Sequence, residues 1–139
     1  MLVVPENLAV ELPKKVNHEE GAFAGLGARA LNLVREAKVQ LGEVVLVFGA
    51  DLLGLLAAQI VRAAGATPLL IDDSEFRLNK ARALGISQIF EPEDEQLVPT
   101  VDTLTQGQGA DSALLTRLAD HLSYSVAAHL LRQGGTLVM

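Results

Sequence analysis

Two clusters in this chain are spaced for one kind of chemistry, the holding of a phosphorylated, ribose-containing ligand: the loop Gly49-Ala50-Asp51-Leu52-Leu53-Gly54 and the acid pair Asp72-Asp73. Glycine at both ends of such a loop allows a tight exit from a strand and close packing of the next helix. The helix N-terminus then offers unpaired N–H groups and a positive dipole end to a phosphate. An acid about 20 residues on can accept hydrogen bonds from the ribose hydroxyls and repels a 2′-phosphate. The surrounding residues supply the right frame. An apolar run from Val44 to Phe48 rises into Gly49, a Leu- and Ala-rich helix closes at Gly65, and a second apolar run ends on Asp72. Strand, glycine loop, helix, strand, acid is the order of a dinucleotide-binding βαβ unit, and the acids favour NAD over NADP.

One residue departs from that pattern. Asp51 stands where the middle glycine belongs, the position at which backbone approaches a pyrophosphate. A Cβ obstructs the approach and a carboxylate adds like charge. Asp is also a strong helix N-cap. The expectation is that Asp51 caps its own helix and partly replaces the phosphate, which weakens NAD binding.

The elements that must position these residues follow from the apolar pattern. Residues Leu2 to Leu12 are extended in character, and Asn17 with Glu20 forms a capping box. A helix from there to about Ala37 places Phe23, Leu26, Ala30, Leu33 and Val34 on a buried face. Val44–Phe48 is apolar throughout, as expected of a central parallel strand covered on both sides. A helix over about Leu52 to Ala64 and a strand over Pro68–Asp72 follow. The next helix, capped by Asp73 or Ser74, turns Phe76, Ala81 and Leu84 inward. Then come a strand at Ile86–Phe90, an acidic solvated turn at Glu91–Glu95 and a helix over about Gln96 to Thr105. Ser112–Thr116 is the fourth strand and Asp120 to Arg132 the last helix. The turn Gly134-Gly135 and a fifth strand, Thr136–Met139, end the sequence. Strands alternating with helices of this length imply an α/β fold, a doubly wound parallel Rossmann-like sheet of about five strands with helices on both faces.

Length and composition narrow the classes. At 139 residues the chain reads as a single dinucleotide-binding domain, residues 1–139. No run of about 18 uncharged apolar residues occurs, which argues against a transmembrane helix. The net charge of −6 disfavours nucleic acid or an anionic membrane as partner. With no cysteine there is neither a disulfide framework nor a thiolate metal site, and the expected compartment is the cytoplasm. His18, His121 and His129 are not spaced as a metal set. The sequence stops within an apolar strand, so a fragment of a longer polypeptide is expected.

The whole chain resembles the nucleotide-binding domain of medium-chain alcohol dehydrogenases and related reductases. The resemblance runs through VPENLAVELP, AKVQLGEVVLVFGA, LLIDDSEFRLNKARALG, QGQGADSALLT and LLRQGGTLVM. It implies an NAD-binding role for Gly49, Ala50, Asp51, Leu52, Leu53, Gly54, Asp72 and Asp73. It also implies that Arg77 lies beside the adenine and that Thr116 and Arg117 are weaker contacts. A separate catalytic domain, lying mainly before this segment, is implied and absent from this chain. Many members pair as dimers through a sixth strand, which would lie beyond Met139. Three features depart from the family. Besides Asp51, Leu115 and Leu118 stand where an acid and a glycine are common near the nicotinamide. Ala24 or Gly25 stands where zinc-dependent members carry a Cys or Glu ligand, so no zinc is expected in this chain. The resemblance implies an NAD(H)-binding domain of an alcohol-dehydrogenase-like oxidoreductase, not catalytic alone. One alternative is a non-catalytic Rossmann domain with an assembly or regulatory role. A distant third is an S-adenosylmethionine-dependent methyltransferase, which also has a glycine loop and an acid after its second strand.

Overall fold

The computed structural model describes residues 3–116 and 121–139, apart from the side chains of Leu8, His121 and Leu122. Arg117, Leu118 and Asp120 therefore lie outside the described residues. Five parallel strands form one sheet in the order β3-β2-β1-β4-β5. They are β1 (Val44–Phe48), β2 (Thr67–Ile71), β3 (Gln88–Phe90), β4 (Ala110–Leu115) and β5 (Leu131–Val138). The helices are α1 (His18–Ala22), α2 (Ala24–Glu36), α3 (Leu52–Ala63), α4 (Glu75–Ala83), α5 (Leu97–Thr105) and α6 (His121–Leu130).

The strand period explains the layers. Successive side chains of β1 point to opposite faces, and all five are buried. Val45 and Val47 pack with Ala30, Leu33 and Val34 of α2, Ala57, Ala58 and Val61 of α3, and Leu78 and Ala81 of α4. Val44, Leu46 and Phe48 pack on the other side with Leu97 and Val101 of α5 and Ala127 and Leu130 of α6. The sheet is thus covered on both faces by aliphatic helix stripes, as the α/β reading expects. Ala57 and Ala58 are wholly buried, so α3 lies close on the strands.

The chain winds outward from β1 to β2 and β3, then crosses back to place β4 on the other side of β1. The carboxyl ends of β1 and β4 therefore flank a topological switch point, where open α/β sheets bind ligands. At the opposite edge, Asp111 fastens three strands. Its Oδ1 accepts from Arg132 Nε at 2.8 Å and its Oδ2 from the Val44 N–H at 2.9 Å.

Several expectations are corrected. The single helix after Asn17 is two helices that meet at Phe23, although the capping box between Asn17 and Glu20 is present. The inward contact there is made by Gly21, where a Cβ would sit 2.7 Å from the Leu12 side chain, and Phe23 is exposed. In α4 the buried pair is Leu78 and Ala81, while Phe76 and Leu84 face out. The Lys80 ammonium covers the Phe76 ring at 5.3 Å from its centre, a cation–π contact suited to an exposed aromatic. Residues expected to extend from Leu2 to Leu12 instead contain a 3₁₀ turn at Glu6–Leu8. β5 begins at Leu131, and Gly134-Gly135 forms an irregularity within it: two steps along β4, Ala110 to Ser112, match five along β5, Leu131 to Thr136.

Ser112, in β4, is 1% exposed and its hydroxyl has no hydrogen-bond partner among the described residues. An unmet buried hydroxyl costs about 1–3 kcal/mol, whereas an apolar replacement of similar shape costs little. Ser112→Ala is therefore expected to leave stability unchanged or raise it by up to about 1 kcal/mol, as read from the urea midpoint at constant slope.

Candidate nucleotide-binding site

The glycine loop sits at the switch point. Gly49 leaves β1 with φ of 104°, a left-handed conformation that glycine adopts without strain, and its N–H still bonds to the Ile71 carbonyl at 2.8 Å. Three residues into α3, Gly54 lies against the loop it has just left. A Cβ there would be driven into the Gly49 carbonyl and to 3.0 Å from Thr116 Oγ1. Glycine at 49 and at 54 is therefore dictated by the turn itself.

Asp51 has ordinary extended backbone, φ −70° and ψ −178°, so nothing in the chain's conformation asks for glycine at that position. Its Oδ1 accepts from the Gly54 N–H at 2.9 Å, the N-cap bond expected from the sequence. The first N–H groups of a helix have no intrahelical partner. Asp51 satisfies that of Gly54 and leaves those of Leu52 and Leu53. Leu52 is exposed beside them, whereas Leu53 is buried.

Asp72 follows β2 directly and is almost fully buried. Its Oδ2 accepts from the Ala50 N–H at 2.7 Å, which ties the second strand's acid to the first strand's loop. Its Oδ1 accepts from the Ser74 N–H at 2.8 Å and from Arg77 Nε at 2.9 Å. Arg77 also reaches the exposed Asp73 carboxylate, Nη2 to Oδ1, at 2.8 Å. Burial pushes the Asp72 carboxyl upward. The Arg77 hydrogen bond, the Ala50 and Ser74 N–H groups and the Arg77 charge outweigh it, and the net shift is below the usual carboxylate range. A carboxylate whose folded value is depressed stabilises the fold in full above its unfolded value, about 3.8, and loses that contribution as pH falls through the folded value. Asp72→Asn is accordingly expected to lower stability at pH 7 and to flatten its fall with pH below about 4, a difference that acid unfolding followed by circular dichroism reads directly.

Thr116 closes the floor of the loop. Its N–H and Oγ1 both reach the Phe48 carbonyl at 3.0 Å, and Oγ1 lies 3.4 Å from the Gly49 carbonyl and from Asp51 Oδ1. Sequence reasoning missed this positioning role, because no local signal links residues 48 and 116. A cavity of about 640 Å³ opens beside the loop, lined by Leu53, Leu115, Thr116 and residues of α2 and α6. Leu115 thus belongs both to the core and to the cavity wall. Leu118 and Arg117, the other residues expected there, lie outside the described residues.

Among the described residues no three His, Cys, Asp or Glu side chains gather into a metal-binding group. Ala24 and Gly25 begin α2 without a donor atom in their side chains, and His129 sits in the last turn of α6, far along the chain from His18. The donor set of the described residues does not fit zinc. No helix among them is long and apolar enough to cross a membrane.

Comparison with known proteins agrees with this geometry. Residues 53–139 match the model of a family described as zinc-binding dehydrogenase. The chain is 34% identical over 143 residues to D-xylulose reductase A of Aspergillus niger, covering 98% of this chain and 39% of that protein. Among solved structures, 2R,3R-butanediol dehydrogenase from Bacillus subtilis is 30% identical with a TM-score of 0.79, covering 92% of this chain and 37% of that one. An Escherichia coli oxidoreductase/dehydrogenase of unknown specificity is 26% identical with a TM-score of 0.85, covering 98% of this chain and 39% of that one. The chain thus spans about two fifths of the length of these relatives. With its sheet order, its glycine turn and these matches, the chain belongs to the zinc-binding dehydrogenase family of the medium-chain alcohol dehydrogenase/reductase superfamily.

Proposed function

We propose that the chain is the NAD(H)-binding portion of an alcohol-dehydrogenase-like oxidoreductase, not catalytic alone. The observation that supports this reading most is the turn from Gly49 to Gly54 at the switch point, packed so closely that Gly54 admits no side chain. The N–H groups of Leu52 and Leu53 would hold a pyrophosphate there, and Asp72 would hold the adenosine ribose. Glycine at 49 and 54 suits the close approach of backbone to such a ligand. Asp51 opposes it in charge, and affinity is correspondingly weak. The carboxylates at 72 and 73 favour NAD over NADP. When bound, the nicotinamide supplies hydride chemistry. The residues of this chain bind and orient it, with Leu53, Leu115 and Thr116 walling the cavity beside the loop. The substrate pocket would come from a catalytic domain in the remaining three fifths of a full-length relative, and pairing of two copies would also rest on residues outside this chain.

A second reading, a non-catalytic domain with a lapsed site, is favoured by the Asp51 cap on Gly54. Titrating the 139-residue chain with NADH and following nicotinamide fluorescence separates the two. Saturable binding in the micromolar range supports the first reading. Silence up to millimolar NADH supports the second.

A further inference from the structure

The acid that would receive the adenosine ribose is not open to solvent. The Asp72 side chain is 0% exposed, and both its oxygens are engaged: Oδ2 by the Ala50 N–H, Oδ1 by the Ser74 N–H and by Arg77. Two of these partners are backbone groups fixed by the loop and by the start of α4. The third is a long side chain, 35% exposed, on the first turn of α4. Arg77 is thus the movable member of these three partners. Its Nη2 lies 2.7 Å from Asp72 Oδ1 and 2.8 Å from Asp73 Oδ1, so the guanidinium spans both acids. Released from Asp72, it keeps a partner in Asp73.

We propose that Arg77 is a latch over the ribose acid: the ligand-free chain holds it shut, and an adenosine ribose enters by displacing the guanidinium from Asp72 while Asp73 retains it. The latch rests on the nucleotide-binding reading above. It makes a prediction opposite to that of a simple contact. A side chain that merely touches the adenine weakens binding when removed, whereas a latch tightens binding, because the competent open state no longer has to be drawn from a minor population.

The test is calorimetric titration of the full 139-residue chain with two probes, AMP and NADH. AMP reports the adenosine pocket without the pyrophosphate or the nicotinamide. For an open state populated to about one part in ten, Arg77→Gln tightens both about tenfold. Arg77→Lys, whose ammonium pairs with one carboxylate but cannot span two, falls between. Arg77→Met, which keeps much of the aliphatic stem and removes the charge, is the second variant if Arg77→Gln does not fold. It is expected to shift affinity in the same direction by about tenfold. If the wild-type chain binds NADH and the variants bind equally or more weakly, the latch is overturned and the nucleotide-binding reading stands. If neither wild type nor variants bind either probe, both are overturned.

Discussion

Asp51→Gly is expected to tighten NADH binding by about tenfold while leaving the melting temperature nearly unchanged. Two unit charges about 5 Å apart repel by roughly 3 kcal/mol at an effective dielectric near 20, and solvent screening at the mouth of the loop removes about half. The remainder corresponds to about one order of magnitude in the dissociation constant. The substitution also frees the Gly54 N–H, which Asp51 Oδ1 now occupies at 2.9 Å, for a phosphate oxygen. The stability cost is small, since glycine is itself a tolerable N-cap and replacing Asp by it costs a few tenths of a kcal/mol. Affinity and stability thus respond separately, which distinguishes an occupied phosphate site from a merely structural cap. Paired fluorescence titrations and thermal melts of the two proteins supply both readouts, and equal NADH affinity would contradict the charge argument.

Gly54→Ala is expected to act in the opposite way, on the fold first. In an isolated helix the change would gain about 1 kcal/mol of helix propensity. Here the new Cβ meets the carbonyl of Gly49, a residue tied to the end of β2 by its N–H bond to the Ile71 carbonyl. A rigid clash of that kind costs more than the roughly 1–3 kcal/mol of ordinary overpacking, so the clash wins. A net loss of at least about 3 kcal/mol, or a melting point lower by on the order of 10 °C, is the expected result of a thermal scan. Gly25→Ala in α2, where a Cβ meets nothing within 4 Å, is the matched control and should be neutral or mildly stabilising. If the two variants melt alike, the close packing of α3 on the loop is not what glycine 54 serves.

How much of this was legible in the sequence depends on the range over which each feature is encoded. β1 needs only its own five apolar residues, and its bounds coincide with the expected ones. The Asn17–Glu20 capping box and the Asp51 cap span three residues each and are present as read. The helix faces were less secure where apolar residues are sparse. In α4 the residues Phe76, Leu78, Ala81 and Leu84 admit two phases, and the packing against β2 and β3 selects the one through Leu78 and Ala81. Features that join distant residues left no local trace. The Ala50–Asp72 bond, the Thr116 bond to Phe48 and the Asp111 clasp to Arg132 and Val44 each need the sheet to be assembled before their partners meet. Asp72 shows the difference best. Its position after the second strand marks it as the ribose acid, while its burial beneath Arg77 is visible only in three dimensions.

In the proposed complex a dinucleotide occupies the turn from Gly49 to Gly54 with its ribose directed to Asp72. The most direct measurement is an ¹⁵N–¹H correlation titration of the 139-residue chain with NADH. Saturable shifts are expected in the amides of Leu52, Leu53 and Gly54, together with those of Asp73 to Arg77, at one common dissociation constant. Shifts confined to other parts of the sheet, or none up to millimolar NADH, would contradict that placement.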